Sequence, residues 1–192
     1  MPTPDLSAEL HAALLEIYNV RAYSRYGLSK VNQLLHAVQS GALAKSRQLP
    51  VTLVVAALLH DVGHMVHGLG EHPAAQGIDD HHESVGAAWL KRYFGPAVVE
   101  PVRLHVAAKR YLCTVERGYH AKLSDDAIES LALQGGPMSA EEVSAFEREI
   151  FWKEAVALRR IDEIAKDPSG AMPLFATFLG DVAAARRESP AL

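Results

Sequence analysis

Apolar residues recur along the chain at helical spacing, and no credible β-alternation accompanies them. Leu10, Ala13, Leu14, Ile17 and Val20 form a stripe that predicts a first helix over residues 7 to about 24. Ser29 opens a second helix through Val31, Leu34, Leu35, Val38 and Leu43, which closes before Pro50. Pro50 then stands at the start of a buried helix, residues 51 to about 61, where its fixed φ is tolerated. Gly68, Gly70, Pro73 and Gly77 mark residues 63–80 as a loop. Helices are expected at about 82–93 and 97–111, and Gly135, Gly136 and Pro137 break the chain beyond them. Ser139 with Glu142 makes a capping box for a helical pattern that runs to about Lys166 and accommodates a bend, and residues 173–187 form a last helix. The expectation is an all-α helical bundle, one domain over residues 1–192.

Composition narrows the chemistry. With 49% hydrophobic and 22% charged residues the chain has the balance of a folded globule, which excludes disorder. A net charge of -4 gives no footprint for nucleic acid. Cys113 is the sole cysteine, so neither a disulfide framework nor a thiolate cluster is available. Residues 1–10 are polar and acidic, unlike a signal peptide, and the apolar run 51–59 is too short to span a bilayer. A cytoplasmic protein without a membrane partner is expected. Ten histidines are the unusual feature, and they make imidazole and carboxylate the metal chemistry to look for.

His60-Asp61 closes the apolar run VTLVVAALL. Two polar groups there are costly unless compensated, and a metal compensates them. As an isolated dipeptide it is better read as a histidine on a backbone carbonyl with an aspartate capping the next turn; the wider context changes that balance. His36 upstream and Asp162 downstream complete the order His…His-Asp…Asp, the signature of the HD superfamily. His82 and His105 lie between them, and the residues alone leave His81 and His82 open as the ligand. Six such ligands, with Asp61 placed to bridge, suit two ions, and imidazole with carboxylate suits non-haem iron as well as other divalent ions. Lys109 follows His105 by four residues, Arg159 precedes Asp162 by three, and His64 follows His60 by one turn. A lysine and a forked arginine flanking metals describe a phosphate or phosphonate cradle. Ser29, Asn32 and Gln33 lie on or near the His36 face, and Tyr26 precedes that helix as a candidate lid.

The strings LHVAAKRYL, LSDDAIESLALQGGPMSAEE and ALRRIDEIAK resemble the HD-domain mixed-valent di-iron oxygenases that cleave 2-amino-1-hydroxyethylphosphonate, from about Tyr26 to Lys166. The resemblance implies an HD-domain helical bundle holding two iron ions as Fe(II)/Fe(III). His36, His60, Asp61, His82, His105 and Asp162 would be the ligands, with Asp61 bridging. It implies His64, Lys109 and Arg159 as holders of the phosphonate, helped by Ser130, and Tyr26 as a tyrosine that blocks one iron until substrate arrives. The partners it implies are a small hydroxyphosphonate and dioxygen.

One position departs from that pattern. The family has a glutamate where this chain has Ser29. A quaternary ammonium donates no hydrogen bond and favours space and aromatic faces, which points to 1-hydroxy-2-(trimethylammonio)ethylphosphonate, with glycine betaine and phosphate as products. The alternatives are the primary amine, giving glycine, an HD phosphohydrolase that activates water on a phosphate ester, and a non-catalytic phosphonate sensor.

Overall fold

The computed structural model describes residues 7–24, 28, 30–70 and 73–191. Tyr26 and Ser29 lie outside the described residues. Among those described, the structure is all-helical. Ser7 caps α1 (Ala8–Asn19) by accepting from the Leu10 N–H, and Leu10, Leu14, Ile17 and Tyr18 form its buried stripe. Val20 ends that helix and is exposed, and a short 3₁₀ turn follows at Arg21–Tyr23. α2 (Gln33–Ser46) is capped by the Asn32 side chain at the Leu35 N–H, so it starts later than the Ser29 boundary expected from the pattern. An amide that fills an orphan N–H fixes a helix start better than the first apolar residue does.

α3 (Val51–Leu59) is buried on all sides from Leu53 onward, which explains why its sequence shows no polar face. It packs against α2, α6, α9 and α10. Each fully buried leucine there, such as Leu58 or Leu59, contributes roughly 1.5–3 kcal/mol by leaving water. The stretch expected to be loop begins with a short helix, α4 (Val62–Val66), too brief for periodicity to reveal. α5 (His82–Leu90) crosses α4 closely because both carry glycine at the contact: a Cβ on Gly63 would lie 1.9 Å from the His82 carbonyl oxygen, and one on Gly86 would meet the Gly63 nitrogen at 3.2 Å. His81, just before α5, holds φ at 48° in the left-handed region, which is uncommon for a residue with a side chain.

α6 (Pro96–Val115) joins two hydrophobic clusters. Val98, Val99 and Val102 belong to the larger cluster around α3, while Leu104, Ala108, Tyr111 and Leu112 belong to a smaller one. α7 (Asp125–Leu133) is a helix the apolar pattern did not predict; Ser124 caps it, and it buries only Ala127 and Leu131, in the smaller cluster. The pattern expected as one bent helix from Ser139 is two, α8 (Ala140–Phe146) with its capping box as expected and α9 (Trp152–Ile164), separated by turns at residues 147–151. α10 (Leu179–Glu188) follows a 3₁₀ turn at Phe175–Phe178 and packs on α3. No helix among the described residues is long and apolar enough to cross a membrane.

Candidate metal centre

The six residues expected as ligands come from α2, the α3–α4 junction, α5, α6 and α9, and all of them are buried where these helices meet. His36 Nδ1 points at the Ala165 carbonyl (2.7 Å), His60 Nδ1 at the Ala57 carbonyl (2.9 Å) and His105 Nδ1 at the Val102 carbonyl (2.7 Å). His82 Nδ1 meets Asp80 Oδ1 at 2.9 Å. Each acceptor oxygen demands an N–H, so every neutral ring presents its Nε2 lone pair inward. Those lone pairs face each other in pairs: His36 and His60 Nε2 are 3.1 Å apart, and so are His82 and His105 Nε2. Two lone pairs at that distance repel unless a proton or a metal cation lies between them. The donor set therefore fits a cation, held by imidazole nitrogens whose other face is pinned by an oxygen.

Asp61 sits between the pairs. Its Oδ1 is 3.3 Å from His60 Nε2 and 3.8 Å from both His82 and His105 Nε2, and its Oδ2 is 3.5 Å from His36 Nε2. Asp61 occupies the N-cap position of α4 but makes no capping hydrogen bond there. Its carboxylate is turned to the imidazoles, and Gln33 Nε2 donates to Oδ2 at 3.3 Å. Asp162 Oδ1 joins the first pair, 3.2 Å from His36 Nε2 and 3.7 Å from His60 Nε2. Of the adjacent histidines His82 turns inward, whereas His81 is exposed and pairs with Asp79.

Electrostatics follow this geometry. Burial alone would raise Asp61, but the surrounding imidazoles, His60 first, hold it well below the usual carboxylate range. Burial also opposes ionisation of Asp162, and the charges of Arg159 and Lys166 hold it low. Burial would lower His60, yet Asp61 and Asp162 override it and raise the imidazole to about 9. His105 is driven well below its ordinary value by burial and by the charges of His82 and His60. The metal-free protein thus keeps a proton at the first pair and a neutral ring at His105.

A cavity of about 330 Å³ opens over the centre, lined by His64, His82, Lys109, Ser130, Arg159 and Lys166 among others. Lys109 donates to Ser130 Oγ at 2.8 Å, and burial with the neighbouring Arg159 charge pushes its ammonium down to about 7. Arg159 lines the same cavity, but its fork is engaged inside the protein: it donates to Asp162 and Glu163, and its Nε to Tyr119 Oη at 3.1 Å. It holds a candidate ligand in place as well as facing the pocket. His64 stacks on His82 with ring centroids 3.9 Å apart and donates from Nδ1 to Asp80 Oδ2 at 2.6 Å. Sequence reasoning missed Asp80, Glu163, Tyr119 and Lys166. Phase offered a signal for two of them, because Glu163 and Lys166 stand four residues after Arg159 and Asp162 on the α9 side.

The HD domain family profile matches residues 34–165 of this chain. The chain is 38% identical over 170 residues to the [1-hydroxy-2-(trimethylamino)ethyl]phosphonate dioxygenase (glycine-betaine-forming) of Leisingera caerulea, covering 86% of this chain and 87% of the relative. It is 44% identical over 157 residues to the hydroxymethylphosphonate dioxygenase of Gimesia maris, covering 80% of this chain and 77% of the relative.

Proposed function

The chain belongs to the HD-domain family and, within it, to the phosphonate dioxygenases, and from that premise we propose that it cleaves the C–P bond of 1-hydroxy-2-(trimethylammonio)ethylphosphonate at two iron ions. The observation that carries the reading is the double facing of imidazoles, each pair 3.1 Å across, with Asp61 between the pairs and Lys109 at the adjoining cavity. His36, His60 and Asp162 would hold one ion, His82 and His105 the other, and Asp61 would bridge. A mixed-valent Fe(II)/Fe(III) pair is our reading of their resting state. Iron bound there supplies activation of dioxygen.

The chain's own groups do the rest. The Lys109 ammonium exchanges its bond to Ser130 for a phosphonate oxygen, a charge-assisted contact that fixes the substrate's register over the centre. Arg159 keeps Asp162 ionised and aimed, and neutralises charge at the cavity wall. His64, locked by Asp80, closes the cavity beside His82. Catalytic roles are assigned to Asp61, His64 and Tyr26, and substrate contacts to Tyr26, Ser29, His64, Lys109 and Arg159. The reaction balances with one dioxygen: the C1–H and C–P bonds break, one oxygen atom enters the carboxylate, and the other enters phosphate.

The cationic substituent is supported by the Leisingera relative and by the carboxylates of Asp126 and Glu129 at the cavity wall. A second reading, hydroxymethylphosphonate, is favoured by the identity to the Gimesia relative. Anaerobic iron loading, followed by oxygen and a panel of the trimethylammonio, primary-amine and hydroxymethyl substrates, tests both. Oxygen-dependent phosphate release with labelled oxygen in glycine betaine is expected. Equal phosphate release without oxygen would place the protein with the hydrolases, and preference for hydroxymethylphosphonate would select the second reading.

A further inference from the structure

Asp80 was singled out neither by motif nor by phase, yet one carboxylate meets three imidazoles. Its Oδ1 is 2.9 Å from His82 Nδ1 and also accepts the His82 backbone N–H at 3.3 Å. Its Oδ2 is 2.6 Å from His64 Nδ1 and 3.2 Å from His67 Nε2. His64, His67 and Asp80 are close enough together to suggest a further metal site. The tautomer of His67 argues against it. The Leu69 N–H donates to His67 Nδ1 at 2.9 Å, so that nitrogen carries the lone pair and Nε2 carries the proton. The His67 side chain is 3% exposed and its Nε2 makes no hydrogen bond within ordinary limits, so Asp80 is the acceptor it faces. The cluster is two donors on an anion with the His67 N–H turned toward it, and no lone pair of His67 is left for a metal.

We propose that Asp80 is a positioning residue for the iron centre: its carboxylate accepts the N–H groups of His64 and His82 and faces that of His67, and so fixes a metal-holding imidazole and a pocket imidazole in one relation. Both rings then turn their Nε2 lone pairs the same way, which accounts for their stacking at 3.9 Å with planes 19° apart. The backbone is committed to this arrangement as well. Asp79 and Asp80 each accept an N–H two residues on, and His81 takes its left-handed φ to bring His82 under the carboxylate. A carboxylate behind a ligating histidine sets its tautomer and raises its basicity, and losing one weakens metal binding by roughly 10- to 100-fold. The inference rests on the reading of His82 as an iron ligand.

The test is a titration of the metal-free protein with Fe(II) under anaerobic conditions, with circular dichroism to check folding. The parent should take up two equivalents; a parent that takes one defeats the two-iron reading itself. In Asp80→Asn the second equivalent should weaken by roughly 10- to 100-fold while the first is unchanged. Asp80→Glu keeps the charge but moves the oxygens by a methylene, and should lose the second equivalent as Asn does. Two equivalents at parental affinity in Asp80→Asn, or full recovery in Asp80→Glu, would overturn the proposal, the latter because charge alone would then suffice. If either variant fails to fold, ¹⁵N-detected imidazole tautomers of the metal-free parent decide. His64 and His82 should carry Nδ1–H and His67 Nε2–H, and Nε2–H at His82 would refute the assignment.

Discussion

Replacing Gly63 by alanine should remove one metal from the centre without touching a ligand. The new Cβ would lie 1.9 Å from the His82 carbonyl oxygen, 2.7 Å from its carbon and 2.9 Å from the Gly86 nitrogen, all backbone atoms with no rotamer to yield. Carbon–oxygen contacts begin near about 3.3 Å, so the start of α5 must retreat by roughly 1.4 Å. Metal–ligand distances tolerate only about 0.2 Å, and His82 is the first residue of α5. The second metal equivalent should therefore bind at least roughly 10-fold more weakly, while the His36–His60 pair keeps the first. Overpacking costs about 1–3 kcal/mol, and alanine's better helix propensity returns up to about 1 kcal/mol. The melting temperature should fall by no more than about 12 °C, which leaves a folded protein to titrate. Gly86→Ala is the comparison, because its Cβ meets the Gly63 nitrogen at 3.2 Å and needs a shift of only a few tenths of an ångström. It should retain both equivalents. Metal stoichiometry by titration and elemental analysis decides, and a Gly63→Ala protein that holds two irons at parental affinity would refute the close-approach argument.

Other perturbations separate the roles of the charged groups. The Lys109 ammonium, pushed down to about 7, is charged below that value and neutral above it, so kcat/KM should fall as pH rises through about 7. Lys109→Arg stays charged, and its profile should lack that limb; an identical limb would assign it to another group. Arg159→Ala removes one of two cationic partners from buried Asp162, Lys166 remaining, and the guanidinium from half-buried Glu163; it should cost up to about 3 kcal/mol, a drop of at most roughly 12 °C, measured by calorimetry, and an unchanged melting temperature would show the pairs to be dispensable. His60, raised to about 9, keeps its proton near neutrality in the metal-free protein, so iron uptake should release about one proton at that pair. Calorimetry in buffers of different ionisation enthalpy measures it, and zero release would contradict the raised value. The same shift means that this proton stabilises the metal-free fold fully below 6.5, the ordinary value, with the contribution lost as pH rises through about 9.

The sequence reveals the bundle where helices are long and amphipathic or wholly apolar, as in α1, α3 and α6. It conceals α4, whose five residues are shorter than two helical turns, and α7, whose interior holds just Ala127 and Leu131. The break between α8 and α9 leaves no glycine or proline behind, so the pattern reads through it. His36, His60, Asp61, His82, His105 and Asp162 were legible because each is a polar group on an apolar face or beside small residues, an expense that invites compensation. What phase could not give was direction within the pocket: Lys109 and Arg159 share the faces of His105 and Asp162 as expected, yet Arg159 commits its fork to Asp162 and Glu163. Asp80 lies in a segment without periodicity, and only the folded chain returns it to His64 and His67.

The seam along α6 has an evolutionary consequence. The candidate ligands of α2, α3 and α5 rest on the larger cluster, whereas the pocket wall that carries Lys109, Ala127 and Ser130 rests on the smaller one. α7 supplies none of the candidate ligands, so substitutions there can reshape the chamber wall while leaving every residue that would hold a metal in place. Diversification would then proceed one wall at a time. Relatives that share this helical frame would then diverge toward a trimethylamino substrate in one lineage and a hydroxymethyl one in another, each step leaving a working catalyst behind.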